Sequence, residues 1–301
     1  YFGIANGISF DARSALVWFV ITLAAMGGGV AEGLTHKLGP AWRLGGTLAA
    51  GIAAAWLLDA RIVRLGVPPM DWLLGLHAFV PIILAVFAVA GLPHAFNLID
   101  GYNGLASTVA TICCLAIGYV ALQVGDRQLA GVVVTLCGAT LGFLAWNYPR
   151  GLIFAGDGGA YLWGGVIALA VIQLVQRHPQ VSPWFAMLLL IYPVWETLFS
   201  SYRKLVRGQS PGLADALHFH QLIYRRIVRG VWDEDQARRM LVRNNRTAPY
   251  LWGFTLLTVI PAVLFWDNTL VLMGFCALFV VSYLYAYIRI VRSKVPQWLR
   301  R

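Results

Sequence analysis

Long apolar runs alternate along this chain with short polar joints. A membrane-spanning helix needs roughly 20 mostly apolar residues, and nine runs approach that length: 14–31, 44–60, 72–96, 104–124, 129–148, 158–176, 181–200, 250–266 and 269–289. Each is continuously apolar instead of alternating residue by residue, which argues for helices and against a barrel of strands. The second run is the weakest, being short and ending at Asp59. The predicted fold is all-α: a polytopic membrane helix bundle of about nine transmembrane helices, one domain over 1–301 with a basic loop at 201–249.

Composition strengthens this picture. Length alone would suggest about two domains, but 59% hydrophobic residues, 12% charged residues and a mean hydropathy of +0.70 describe one integral membrane bundle. The chain begins at Tyr1 with no leader pattern, so it reads as a fragment of a longer protein. Cys113, Cys114, Cys137 and Cys276 all lie inside apolar runs without zinc-site spacing, and are expected to be core or lipid-facing residues.

The net charge of +10 is a matter of sides. With nine spans, the joints 32–43, 97–103, 149–157, 201–249 and the tail from Arg289 fall on one side and collect 18 Lys and Arg. The other side collects five: Arg13, Arg61, Arg64, Arg127 and Arg177. The positive-inside rule makes the first side cytoplasmic, with anionic lipid headgroups as partners and no nucleic acid. The segment 201–249 is too short for a core of its own. Its Arg225, Arg226, Arg229, Arg238, Arg239 and Arg243 are expected on short amphipathic helices at the membrane surface.

The candidate chemistry sits in joints on that basic side. Asn97-Leu98-Ile99-Asp100-Gly101-Tyr102-Asn103-Gly104-Leu105 is a polar knot between two apolar runs, and ionisable groups at such depth usually line a site. Asp157 stands between glycines at the start of another run. Either aspartate alone has an ordinary reading, as a turn residue or a helix cap. Together on one side, they favour a shared hard-cation site, because Mg²⁺ takes carboxylate oxygens along with phosphate oxygens and water. Phosphate chemistry also suits the free N–H groups of a helix start. His218 and His220 form an H-x-H pair, which in extended backbone points both rings to one side; an ordinary loop remains the other reading.

These segments carry a resemblance. NLIDGYNGLAS resembles the N-x-x-D-G-x-[DN]-G-L-A motif of the polyprenyl-phosphate N-acetylhexosamine-1-phosphate transferases (glycosyltransferase family 4). IFAGDGG at 153–159 resembles I-F-x-G-D-x-G, and DALHFH at 215–220 resembles D-x-x-H-x-H. The match in order and spacing covers about residues 28 to 290. It implies transfer of a sugar 1-phosphate from a UDP-amino sugar to a polyprenyl phosphate, with release of UMP. By similarity Asp157 ligates Mg²⁺, or Mn²⁺ as an alternative, and Asp100 helps bind the metal diphosphate or the nucleophile. Asn97 contacts the nucleotide diphosphate, and His218 and His220 hold phosphates, with Arg203 and Lys204 as further candidates. Asn103, Asn147 and Asp215 complete the implied substrate-binding set. The implied site is on the cytoplasmic face of a bacterial inner membrane, in a pathway such as O-antigen synthesis, and a homodimer is left open.

The sequence also departs from the pattern. Where the family carries an adjacent acidic pair, thought to bind metal or deprotonate the lipid phosphate, this chain has Glu32-Gly33, or Ala31-Glu32 if shifted by one. Asn103 replaces a frequent Asp, His94 stands where Asn is common, and one or two upstream helices are expected by comparison. An impaired homologue that only binds lipid is therefore one alternative. A transporter or flippase is another, but transporters place broken helices at mid-membrane, whereas these motifs gather at one face.

Overall fold

Helices form where the apolar runs predict them. The structure, a computed structural model, describes residues 12–37, 39–208, 217–230 and 235–292. In chain order these hold α1 (Ala12–Thr35), α2 (Pro40–Leu57), α3 (Pro68–Gly75), α4 (Phe79–Ile99), α5 (Leu105–Gln123), α6 (Arg127–Asn147) and α7 (Gly156–Arg177). There follow α8 (Pro183–Leu189), α9 (Ile191–Val206), α10 (Phe219–Leu222) with a π-helical turn at Ile223–Ile227, α11 (Gln236–Leu264) and α12 (Thr269–Val291). There is no strand among the described residues. The protein is a multi-pass membrane helix bundle.

Seven of these helices are long and apolar enough to cross a membrane, or eight if α8 and α9 together count as one. The remaining predicted run, 44–60, becomes α2, which Arg43 and its many small residues leave below that mark. Three boundaries differ from the reading of the sequence. The run 72–96 is broken into α3 and α4, because Pro81 has no N–H for the His77 carbonyl and would clash with it in a continuous helix. The run 181–200 is bent by 69° between α8 and α9. There Pro193 leaves the Leu189 carbonyl without its helical donor, and the Cys113 thiol approaches that oxygen instead, at 3.9 Å. The predicted span at 250–266 starts much earlier, at Gln236, where Asp235 caps α11 by accepting from Ala237 N. Arg238, Arg239 and Arg243 thus ride on the base of a spanning helix, not on separate short ones.

The bundle is organised around α7. Of its apolar window 89% is buried, against 17% for α1, and it packs on α1, α4, α5 and α6. Tight crossings let it do so: a Cβ on Gly29 of α1 would lie 2.6 Å from Gly158 N of α7. Small residues at such crossings are how helices without a hydrophobic driving force approach in a membrane.

Polar side chains collect at the two ends. At one, Asp126 caps α6, accepts from His178 Nε2 at 3.1 Å and pairs with Arg177, while Arg64 donates to the carbonyls of Val175, His178 and Val181. These bonds close off helix ends. The other end holds the motifs.

Candidate active site

The end of α4 and the start of α7 meet first. Asn97, in the last turn of α4, donates from Nδ2 to Asp157 Oδ1 at 2.7 Å. The other oxygen of Asp157 accepts a short ionic hydrogen bond from Arg43 of α2. Asp157 is thus no cap: Ala155 holds that position, and the carboxylate turns to side chains of two neighbouring helices. Glu32, one turn from the end of α1, acts electrostatically on Arg43, and its Oε2 is buried without a partner.

Asp100 follows α4 as its C-terminal cap residue. Its carboxylate has no hydrogen bond or ion pair among the described residues. Burial pushes its pKa up to about 7, and the negative charge of Asp157 adds to the rise. Two acids near each other, one of them uncompensated, suit a cation. Among the described residues no three His, Cys, Asp or Glu side chains stand close enough to hold an ion unaided. Mg²⁺ does not require that, since it commonly takes one or two carboxylates and completes its shell with phosphate oxygens and water. The residues therefore fit the ion, with Asp157 and Asp100 as ligands, provided Arg43 gives way.

The H-x-H pair reaches the same place from the opposite flank. His218 is extended (φ −60°, ψ 146°) and His220 is the second residue of α10, and the rings stack in parallel, centroids 5.3 Å apart. The expected shared side is met at a helix start instead of on a strand. His220 covers Gly101: a Cβ there would come within 3.2 Å of its Nε2, so a side chain would crowd the ring. Burial pushes the His220 imidazole down to about 4, leaving it neutral at pH 7, and its Nδ1 is buried without a partner. His218 Nδ1 lies 3.0 Å from Oε1 of Glu196.

The remaining predicted residues divide. Asn147 accepts from Gly104 N at 2.6 Å and donates to the Ile153 carbonyl at 2.8 Å, so it ties the NLIDGYNG turn to the loop before α7. Gly104 permits that turn with φ 71°. Asn103 is tied by Asn244 Oδ1 at its N–H and by Asn245 Oδ1 at its amide. Arg203 lies over the rings of both Phe199 and Tyr287, buried along with Lys204 in the last turn of α9. Asp215 lies outside the described residues. Beside Asp157 opens a cavity of about 470 Å³ with mostly apolar walls, including Met26, Val30, Phe143, Phe154 and Trp163.

The arrangement can hold a diphosphate between carboxylates that invite a cation and a pair of imidazoles, with an apolar space alongside. A sequence model described as glycosyl transferase family 4 matches residues 15–175, more than half of the chain. The chain belongs to that family. It is 30% identical over 152 residues to an undecaprenyl-phosphate alpha-N-acetylglucosaminyl 1-phosphate transferase of Thermotoga maritima, covering 50% of this chain and 45% of that one. Over 139 residues it is 35% identical to a phospho-N-acetylmuramoyl-pentapeptide-transferase of Moorella thermoacetica, covering 46% and 42%. Over 148 residues it is 31% identical to an undecaprenyl-phosphate alpha-N-acetylglucosaminyl 1-phosphate transferase of Escherichia coli K12, covering 47% and 40%. The matched stretch thus spans less than half the length of these relatives.

Within this family 4 site, residue-by-residue reading passed over several participants. Arg43 entered only as one of the basic residues, since nothing in its spacing ties it to Asp157. Asn244 and Asn245 carry no motif. Glu196 did leave a signal, a lone acid in an apolar run, which usually marks a functional or paired group.

Proposed function

We propose that this protein transfers a sugar 1-phosphate of the N-acetylhexosamine type from a UDP-sugar to a polyprenyl phosphate. An oxygen of the lipid phosphate bonds to the β-phosphorus of the UDP-sugar while the bond from that phosphorus to the bridging oxygen breaks; UMP leaves with the oxygen, and a polyprenyl diphosphate sugar remains. The observation that carries this reading is the meeting of Asn97, Asp157, Asp100 and the His218–His220 pair at one end of the bundle, in a chain of this family.

Phosphoryl transfer depends mainly on positioning and charge neutralisation. Asp157 and Asp100 would hold Mg²⁺, which when bound supplies positive charge to the diphosphate. Asn97 orients Asp157, and Asn103 and Asn147 set the shape of the turn that carries Asp100. His220 and, from α9, Arg203 and Lys204 supply donors toward phosphate, and His218 contacts it beside them. Glu32 is the acid left to receive a proton from the lipid phosphate. The apolar cavity beside Asp157 suits the first isoprene units. The site faces the cytoplasm of a bacterial plasma membrane, and the product would begin a lipid-linked surface glycan such as O-antigen.

The test is UMP release by the purified protein in detergent with undecaprenyl phosphate, a panel of UDP-amino sugars, and Mg²⁺ present or chelated. Mg²⁺-dependent release with one sugar supports the reading and names the donor. Gly33, in place of a second acid, favours an impaired homologue as the other reading; nucleotide binding without release would support that one.

A further inference from the structure

We infer that Glu196 is the positioning residue of the histidine pair: its carboxylate holds His218 in the tautomer with hydrogen on Nδ1, leaving the Nε2 lone pair to accept the hydrogen of a phosphate hydroxyl. Only the identity of that phosphate rests on the transferase reading above. Glu196 lies within α9 and is fully buried. An isolated carboxylate there would be strongly unfavourable, so its partners must compensate it. Oε1 accepts from Phe219 N at 3.1 Å and faces His218 Nδ1 at 3.0 Å, and Oε2 accepts from the Tyr283 hydroxyl at 2.5 Å. A carboxylate already accepting a backbone N–H can bond Nδ1 only if that nitrogen carries hydrogen.

The holder is itself held. The Tyr283 ring packs against Phe199, Phe219 and Phe279, so α9, α10 and α12 are joined at one carboxylate. From there the order passes along the side chains: His218 stacks on His220, and His220 rests on Gly101 beside Asp100. His220 Nδ1 is buried without a partner among the described residues. A buried polar atom left unpaired in this way calls for an explanation, and a ligand that brings oxygen atoms supplies one.

The experiment combines ¹⁵N-histidine NMR of the full chain in detergent with kinetics of Glu196→Gln, Glu196→Ala and Tyr283→Phe, the His218 signals being assigned through His218→Asn. The native protein should show His218 with hydrogen on Nδ1. Glu196→Gln keeps an acceptor oxygen, so it should keep that tautomer and stay within about tenfold of native turnover, the lower end for an outer-shell partner. Glu196→Ala should mix the tautomers and lose about 100-fold in kcat, as small misplacements of reacting groups do. A native His218 protonated on Nε2, or a Gln variant as poor as Ala, overturns the inference. Should Ala fail to fold, Gln and Tyr283→Phe decide, the latter expected to loosen the tautomer without abolishing turnover. If the native chain releases no UMP, the transferase reading fails while the tautomer still decides the role of Glu196.

Discussion

At the scale of single residues, Asp100 and Asp157 set the electrostatics of the site. The pKa of Asp100 is raised in the fold to about 7 from an ordinary 3.8, so the folded state binds more protons than the unfolded chain between those values. Stability is therefore lost as pH rises through that window. In chelator, Asp100→Asn should melt higher than the native protein at pH 8, and the gap should close toward pH 4; adding Mg²⁺ at pH 8 should raise the native melting temperature and leave the variant's nearly unchanged. Equal melting of the two at pH 8 would show that neither burial nor the Asp157 charge penalises ionised Asp100. Arg43 bears on the same pair from the other direction, since it occupies the Asp157 oxygen a cation would use. Arg43→Gln should bind Mn²⁺ more tightly by electron paramagnetic resonance without substrate, on the order of fivefold, the worth of a partly exposed ion pair of ~1 kcal/mol. Weaker binding would mean that Arg43 recruits the anionic ligand instead. The sequence made Asp100, Asp157 and the H-x-H pair legible because polar residues in apolar surroundings announce themselves. It could not show Arg43 or Asn244, whose partners lie more than a hundred positions away in the chain.

At the scale of elements, apolar periods locate helices well and their ends poorly. Pro81, Pro193 and Asp235 each decided a boundary through one hydrogen bond lost or gained, a local effect that averaging over a run conceals. Packing was illegible for another reason: a crossing needs a small residue on one helix and a close backbone on another, and only one of the two is visible at any position. Gly164 of α7 is the sharpest case, since a Cβ there would lie 2.4 Å from Pro93 Cα on α4. Gly164→Ala must push α4 away from α7, and Asn97 from Asp157 with it. The expected loss is about 1–3 kcal/mol, as for overpacked cores generally, read as a lower melting temperature in detergent together with reduced UMP release. A variant that melts like the native protein would mean that α4 slides freely, and would remove the argument that α7 fixes the Asn97–Asp157 contact.

At the scale of the whole molecule, the two polar ends differ in what their bonds accomplish. At the Asp126 end, side chains are spent on carbonyls and caps, as Arg64 and His178 show. At the Asp157 end, Glu32, Asp100 and the His220 Nδ1 stay unspent, and the basic residues counted along the chain accumulate on the same side. Charge and chemistry thus select one face without reference to each other. A nucleotide sugar is charged and stays where it is made, so the proposed reaction requires that face to be cytoplasmic. Single-cysteine probes decide this, because the four native cysteines are buried and give little background. In intact cells an impermeant maleimide should label Arg127→Cys, exposed beside Asp126, and should reach Arg150→Cys, exposed before α7, only after the membrane is opened. The reverse pattern would place the unspent end outside, away from any nucleotide donor, and the transferase reading would fall with the orientation.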